Sequence, residues 1–169
     1  MPVPFRSLAL ATLACALATP ASAELLTQKN LSAAMALTIA QTAMEACTKQ
    51  GFRVSVAVVG RNGELLVHVR GDNSGPHTME NSFRKAYTSR AYRTSSADFA
   101  KRMLKPGEPP GGALMLSNII AGRGGLPIKL GDDVIGAVGV SGAPSAGSVN
   151  GNDEPCAKAG IDKIADQLK

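Results

Sequence analysis

The chain is poor in the residues that most often carry recognition or chemistry. Among 169 residues there is no tryptophan, and there are only two tyrosines, four phenylalanines, two histidines and three cysteines. With no run of basic residues and no aromatic platform on a strand, nucleic acid is not an expected partner. The cysteines form no C-x-x-C pair, so a zinc ribbon and a thioredoxin-type motif lack support. No Walker A lysine motif, no H-E-x-x-H and no G-x-G-x-x-G opening a helix is present. Gly139-Val140-Ser141-Gly142-Ala143 lacks the last glycine of a G-x-S-x-G elbow. A triad of Ser141, His77 and Asp72 has no spacing to recommend it. Internal repeats and a second domain are also missing.

What is present begins with an export pattern. Arg6 precedes an apolar stretch, residues 7–18, which ends in Ala21-Ser22-Ala23. A positive start, a short apolar centre and an A-x-A site predict a secretory signal at residues 1–23 that is cleaved, and the stretch is too short for a permanent membrane span. Thr12-Leu13-Ala14 before Cys15 makes a poor lipobox. Shortening 169 residues by 23 leaves 146, residues 24–169, the size of one domain with one core. Without Arg6 the chain keeps 17 basic against 13 acidic residues, a scattered +4. The expected location is periplasmic or secreted. Cys47 and Cys156 then meet an oxidising compartment, and a structural disulfide is their expected state.

Along the chain, Thr27 offers a helix cap with Leu26 and Leu31 as a hydrophobic staple. Leu31, Met35, Ile39, Ala43 and Ala46 repeat at helical spacing up to Gly51. Residues 54–59 and 65–69 read as strands around Asn62-Gly63, a strong hairpin signal. Leu65, Val67 and Val69 share one face of the second strand, so His68 points away from the helix-covered side, as a partly exposed strand histidine. After the breaker-rich residues 71–76 a helix begins near His77. Met79, Phe83 and Ala86 form one stripe, and His77, Asn81, Arg84 and Thr88 another. Ser95 and Ser96 start a short helix to about Leu104. Residues 105–112 are irregular, residues 114–120 are an apolar element expected as a strand, and residues 143–152 form a second loop. Leu126 to Leu130, the turn Gly131-Asp132-Asp133 and the apolar run 134–141 make a second hairpin whose last strand is buried on both faces. Gly136, Gly139 and Gly142 mark places where another backbone or a flat ligand comes close. Asp153, Glu154 and Pro155 open a C-terminal helix. If this helix packs antiparallel to the first, Cys47 and Cys156 meet.

The run Gly124-Gly125-Leu126-Pro127-Ile128, then Gly136 to Pro144, then Asp153-Glu154-Pro155-Cys156-Ala157-Lys158-Ala159-Gly160-Ile161, resembles the closing signature of the GlcG/HbpS-like haem-binding proteins. The C-terminal domain of PduO-type corrinoid adenosyltransferases shares it. Val56 to Val59, Asn62-Gly63 and Arg84-Lys85-Ala86 match the family's first hairpin and central helix, so the resemblance spans residues 24–169. It implies an α/β (α+β) domain of profilin-like architecture. The expected sheet is antiparallel, of about five strands, with helices packed mainly on one face, in a chain that forms homo-oligomers.

On this frame Gly75-Pro76-His77-Thr78 is the expected ligand site. A neutral imidazole is a good axial donor to haem iron, and an anchored helix start sets its direction. His77 is therefore the candidate iron ligand, with Arg84 and Lys85 toward the propionates and Tyr87, then Tyr92, as reserve ligands. A mild positive balance favours haem or another anionic small molecule. The expected function is exported haem binding, for sequestration, transfer or sensing, with degradation also attributed to the family. No residue set demands catalysis, so enzymatic status is open. Two alternatives stand beside this: an enzyme or accessory protein acting on a small organic acid or corrinoid, in a pocket of residues 122–127 and the 75–78 loop, and an oligomeric module without a tight ligand.

Overall fold

The computed structural model describes residues 23–144 and 152–168. The expected signal lies outside this range but for Ala23, and so does most of the loop expected at 143–152. Helix α1 (Ala33–Thr48) is capped by Ser32, whose hydroxyl accepts from the Met35 N–H at 3.2 Å. Thr27 and Leu26 do not form the expected cap and staple. Leu26 is 85% exposed, whereas Leu31 enters the core beneath Gly136 and holds the chain extended up to Ser32. The helix ends as expected near Gly51, which takes a positive φ.

Four strands follow: β1 (Ser55–Val59), β2 (Leu65–Arg70), β3 (Gly125–Leu130) and β4 (Asp133–Ser141), in the order β2-β1-β4-β3 with every pair antiparallel. The mixed α+β expectation holds, with four strands rather than about five. Residues 112–115 form a 3₁₀ turn, and the stretch after it is not a strand. Its backbone groups find other partners: Ile119 O accepts from Arg84 Nη2 at 2.6 Å, and Ile120 N–H donates to Thr88 Oγ1 at 3.0 Å. Side chains of helix α2 (His77–Tyr92) thus satisfy the groups that a neighbouring strand would have taken.

The helices divide between the two faces of the sheet, which departs from a one-sided cover. Val56, Val58, Val138 and Val140 pack with Ile39, Ala40 and Ala43 of α1 and with Ala157 of α4 (Asp153–Asp162). On the opposite face Ala57, Val59 and Ala137 meet Ala86 and Phe83 of α2. Glycines set how close α2 lies. A Cβ on Gly139 would collide with Ser82 O and stand 2.6 Å from Ala86 N, and one on Gly125 would collide with Lys85 O. The close approach foreseen at Gly139 is therefore filled by the chain's own backbone. Helix α3 (Ser96–Met103), capped by Ser95 as expected, continues from α2. Cys47 and Cys156 are joined, with Cα atoms 5.5 Å apart, linking the end of α1 to the start of α4.

Candidate functional site

The start of α2 is built from hydroxyls. Thr78 is buried and its Oγ1 donates to Gly75 O at 2.7 Å. That leaves the Ser55 hydroxyl to donate to Thr78 Oγ1 at 2.7 Å, and the Ser74 hydroxyl to donate to Ser55 Oγ at 3.3 Å. Arg70 Nη2 adds a bond to Ser74 O at 3.0 Å. The loop before α2 is thereby tied to the first residue of β1. His77 stands on this platform, exposed, and makes no hydrogen bond with a described residue. Its Nδ1–Cε1 edge lies against Gly75: a Cβ there would sit 2.8 Å from Cε1 and 3.1 Å from Nδ1. Nε2 is not among the ring atoms nearest to Gly75.

The ring borders an open cavity of about 330 Å³ whose other walls include Arg53, Gly142, Pro144 and Asp153. Arg53 also lines a neighbouring cleft of about 490 Å³ with apolar walls from Met44, Phe52, Val54 and Val69. The two hollows meet at this arginine, which is exposed and makes no hydrogen bond with a described residue. An imidazole, a guanidinium and an apolar floor are thus brought together. This set suits a flat ligand that carries a metal and carboxylates.

The other expected residues go elsewhere. Lys85 is only 7% exposed; its Nζ donates to Val140 O at 3.0 Å and to Asp153 Oδ2 at 2.8 Å. Asp153 Oδ1 in turn accepts from Ala143 N–H at 2.8 Å, so the pair ties α2 to the end of β4 and the start of α4. Asp153 is part of the cavity wall, but Lys85 is not, and its ammonium is taken up by this pair and by Val140 O. Arg84 shares the His77 stripe two turns on, yet its Nη groups hold Ile119 O and Glu80, at 2.6 and 3.2 Å. Tyr87 comes ten residues after His77, about 15 Å along the helix axis, too far for both to ligate one iron within one chain. It packs on Phe83, faces Gly63 and lines a separate cavity with Arg61 and Arg90. Tyr92 packs on Phe99, with centroids 4.3 Å apart. His68 is directed away from the α1 face as expected, but α2 covers that side, and its Nε2 lies 3.0 Å from Met79 O. Residues 122–127 do not join the 75–78 loop; Arg123 and Leu126 line a different cavity, between α3 and the start of α4.

Sequence reasoning missed Arg53, for which spacing offered no signal. Lys85 could have been read as buried, because Thr78, Ser82, Ala86 and Ser89 place it on the small-residue face of α2.

Residues 31–162 match the family model described as haem degrading protein HbpS-like. Among solved structures, a double mutant of HbpS from Streptomyces reticuli is 33% identical, with a TM-score of 0.73 over 86% of this chain and 96% of that one. The ORFY protein of Klebsiella pneumoniae is 25% identical, with a TM-score of 0.74 over 85% of this chain and 97% of that one. A PduOC:heme complex shares the fold at 24% identity and a TM-score of 0.69, over 79% of this chain and 94% of that one. No curated protein matches the chain. With 132 consecutive residues covered by the model and a third of the HbpS positions identical, the chain belongs to the family of HbpS-like haem-degrading proteins.

Proposed function

We propose that this is an exported haem-binding protein, with His77 as the ligand to iron and Arg53, in place of Arg84 and Lys85, as the partner of a propionate. The observation that carries this reading is an exposed imidazole, free of hydrogen bonds to described residues, on a braced helix start beside an uncommitted arginine. The residues fit the group: Nε2 is an iron donor, arginine forks a carboxylate, and Met44 and Phe52 offer apolar surface to the ring. Bound haem would supply the redox chemistry of its iron, while the hydroxyl-braced start of α2 fixes the imidazole that would hold it. Family membership and the haem-bound fold relative give the reading further support.

Hemin titration of the purified protein tests it. A saturable Soret band is expected, weakened at least about tenfold in affinity by His77→Ala and less by Arg53→Ser. A spectrum unchanged from free hemin removes the proposal. A full-strength band in His77→Ala moves the site elsewhere. Bleaching of the band under reductant and oxygen would separate degradation from storage or transfer.

Export rests on the pattern at residues 1–23 and is supported by the Cys47–Cys156 bridge, which an oxidising compartment sustains. Protein N-terminal sequencing of a periplasmic fraction should begin at Glu24. Homo-oligomers are proposed as well, supported by Met115 and Leu116, which are 88% and 57% exposed on one turn.

A further inference from the structure

A cavity of about 400 Å³ opens between α3, the loop before β3 and the first turn of α4, and His77 is not among its walls. Its walls are apolar at Ala97, Leu126 and Pro155. Five charged side chains stand around it, in two classes. Three are already paired and solvent-exposed: Lys101 with Asp98 at 2.9 Å, and Lys158 with Asp162, which is not part of the wall, at 2.6 Å. Arg123 and Glu154 are both half-buried and make no hydrogen bond or ion-pair contact with a described residue. Both line the same cavity without forming an ion pair with each other. Burial, with Asp98 adding to it, raises the Glu154 carboxyl from its ordinary value, against the pull of Arg123 and Lys101. Both charges stand at the edge of the same apolar walls, and neither is neutralised by a described residue. A ligand carrying both complementary charges would satisfy the two at once.

We propose that the Arg123–Glu154 cavity binds a small zwitterion of the amino-acid class, its carboxylate on Arg123, its ammonium on Glu154 and an apolar side chain against Leu126 and Pro155. The site is separate from the haem reading and does not depend on it. A dianion would meet Glu154 and Asp98, and a simple amine would meet Arg123. Only a molecule with both charges leaves neither wall group opposed or unpaired.

The test is an NMR titration of the purified full chain without hemin. Leucine is compared with 4-methylpentanoate, which lacks the ammonium, and with 3-methylbutylamine, which lacks the carboxylate. Leucine should saturate below roughly 10 mM with shifts centred on residues 95–101, 123–126 and 154–158, and each analogue should bind about tenfold or more weakly. Glu154→Gln should bring leucine down to the affinity of 4-methylpentanoate, and Arg123→Gln should bring it down to that of the amine. Both variants alter half-exposed side chains, and unchanged thermal unfolding will show them folded. The proposal is overturned if leucine fails to saturate, if leucine and 4-methylpentanoate bind equally to the unaltered chain, or if the shifts centre elsewhere. Should an altered chain unfold, the analogue comparison on the unaltered chain decides alone.

Discussion

His68 titrates under cover. Burial lowers its pKa from 6.5, partly opposed by the Nε2 hydrogen bond to the Met79 carbonyl. With the folded value below the unfolded one, the unfolded chain takes up the proton first as pH falls, so stability falls with it. The contribution is fully present above about pH 6.5 and is lost as pH drops through the lowered folded value. Urea midpoints between pH 7 and pH 5 should therefore decline more steeply in the natural chain than in His68→Gln, which keeps a donor for Met79 and has no proton to gain. Parallel curves would remove the argument. At this scale the sequence was only partly legible. His77 announces itself by following Gly-Pro at a helix start. Arg53, one basic residue before a strand, is distinguished only by the fold that brings α1, β2 and the 75–78 loop around it. Lys85 and Arg84, adjacent in sequence, are separated by the helical turn into a buried ion pair and a backbone clamp.

Helix α2 rests on the sheet at glycines, so its position depends on side chains that are not there. Gly139→Ala would place a methyl group against the backbone of Ser82 and Ala86, where no rotamer change can make room. Overpacking of this kind costs about 1–3 kcal/mol, and urea denaturation should show a loss in that range or above it. An unchanged midpoint would mean that α2 shifts freely. The helix also accounts for the missing strand. Residues 114–120 have the apolar content of a strand, but β-structure needs a neighbour with open hydrogen-bonding groups. Here Arg84 and Thr88 of α2 take the backbone groups of Ile119 and Ile120 instead. Local pattern identified the element as apolar without revealing which partner would bind it.

Across the whole molecule, the Cys47–Cys156 bridge closes 109 residues of chain and holds α1 to α4. In the chain-entropy description such a link stabilises by about 4–5 kcal/mol. For a chain of this length that corresponds to a fall in Tm of roughly 10–15 °C when it is removed. Calorimetry of Cys47→Ala with Cys156→Ala measures it; because both sulfurs are wholly buried, adding thiol to the folded protein is the weaker experiment. A Tm within a degree or two of the natural chain would show that packing alone carries the α1–α4 contact. The sequence by itself determined most of the helix and strand segments, the two antiparallel hairpins and the family, because periodicity and turn residues act over short stretches; the strand expected at 114–120 and the cap expected at Thr27 are where that local pattern fell short. Tertiary structure decided which face each helix covers, which cation stands beside His77, and that Arg123 and Glu154 share a hollow. Those outcomes depend on residues far apart in the chain competing for the same space and the same charge, and that competition exists only once the chain is folded.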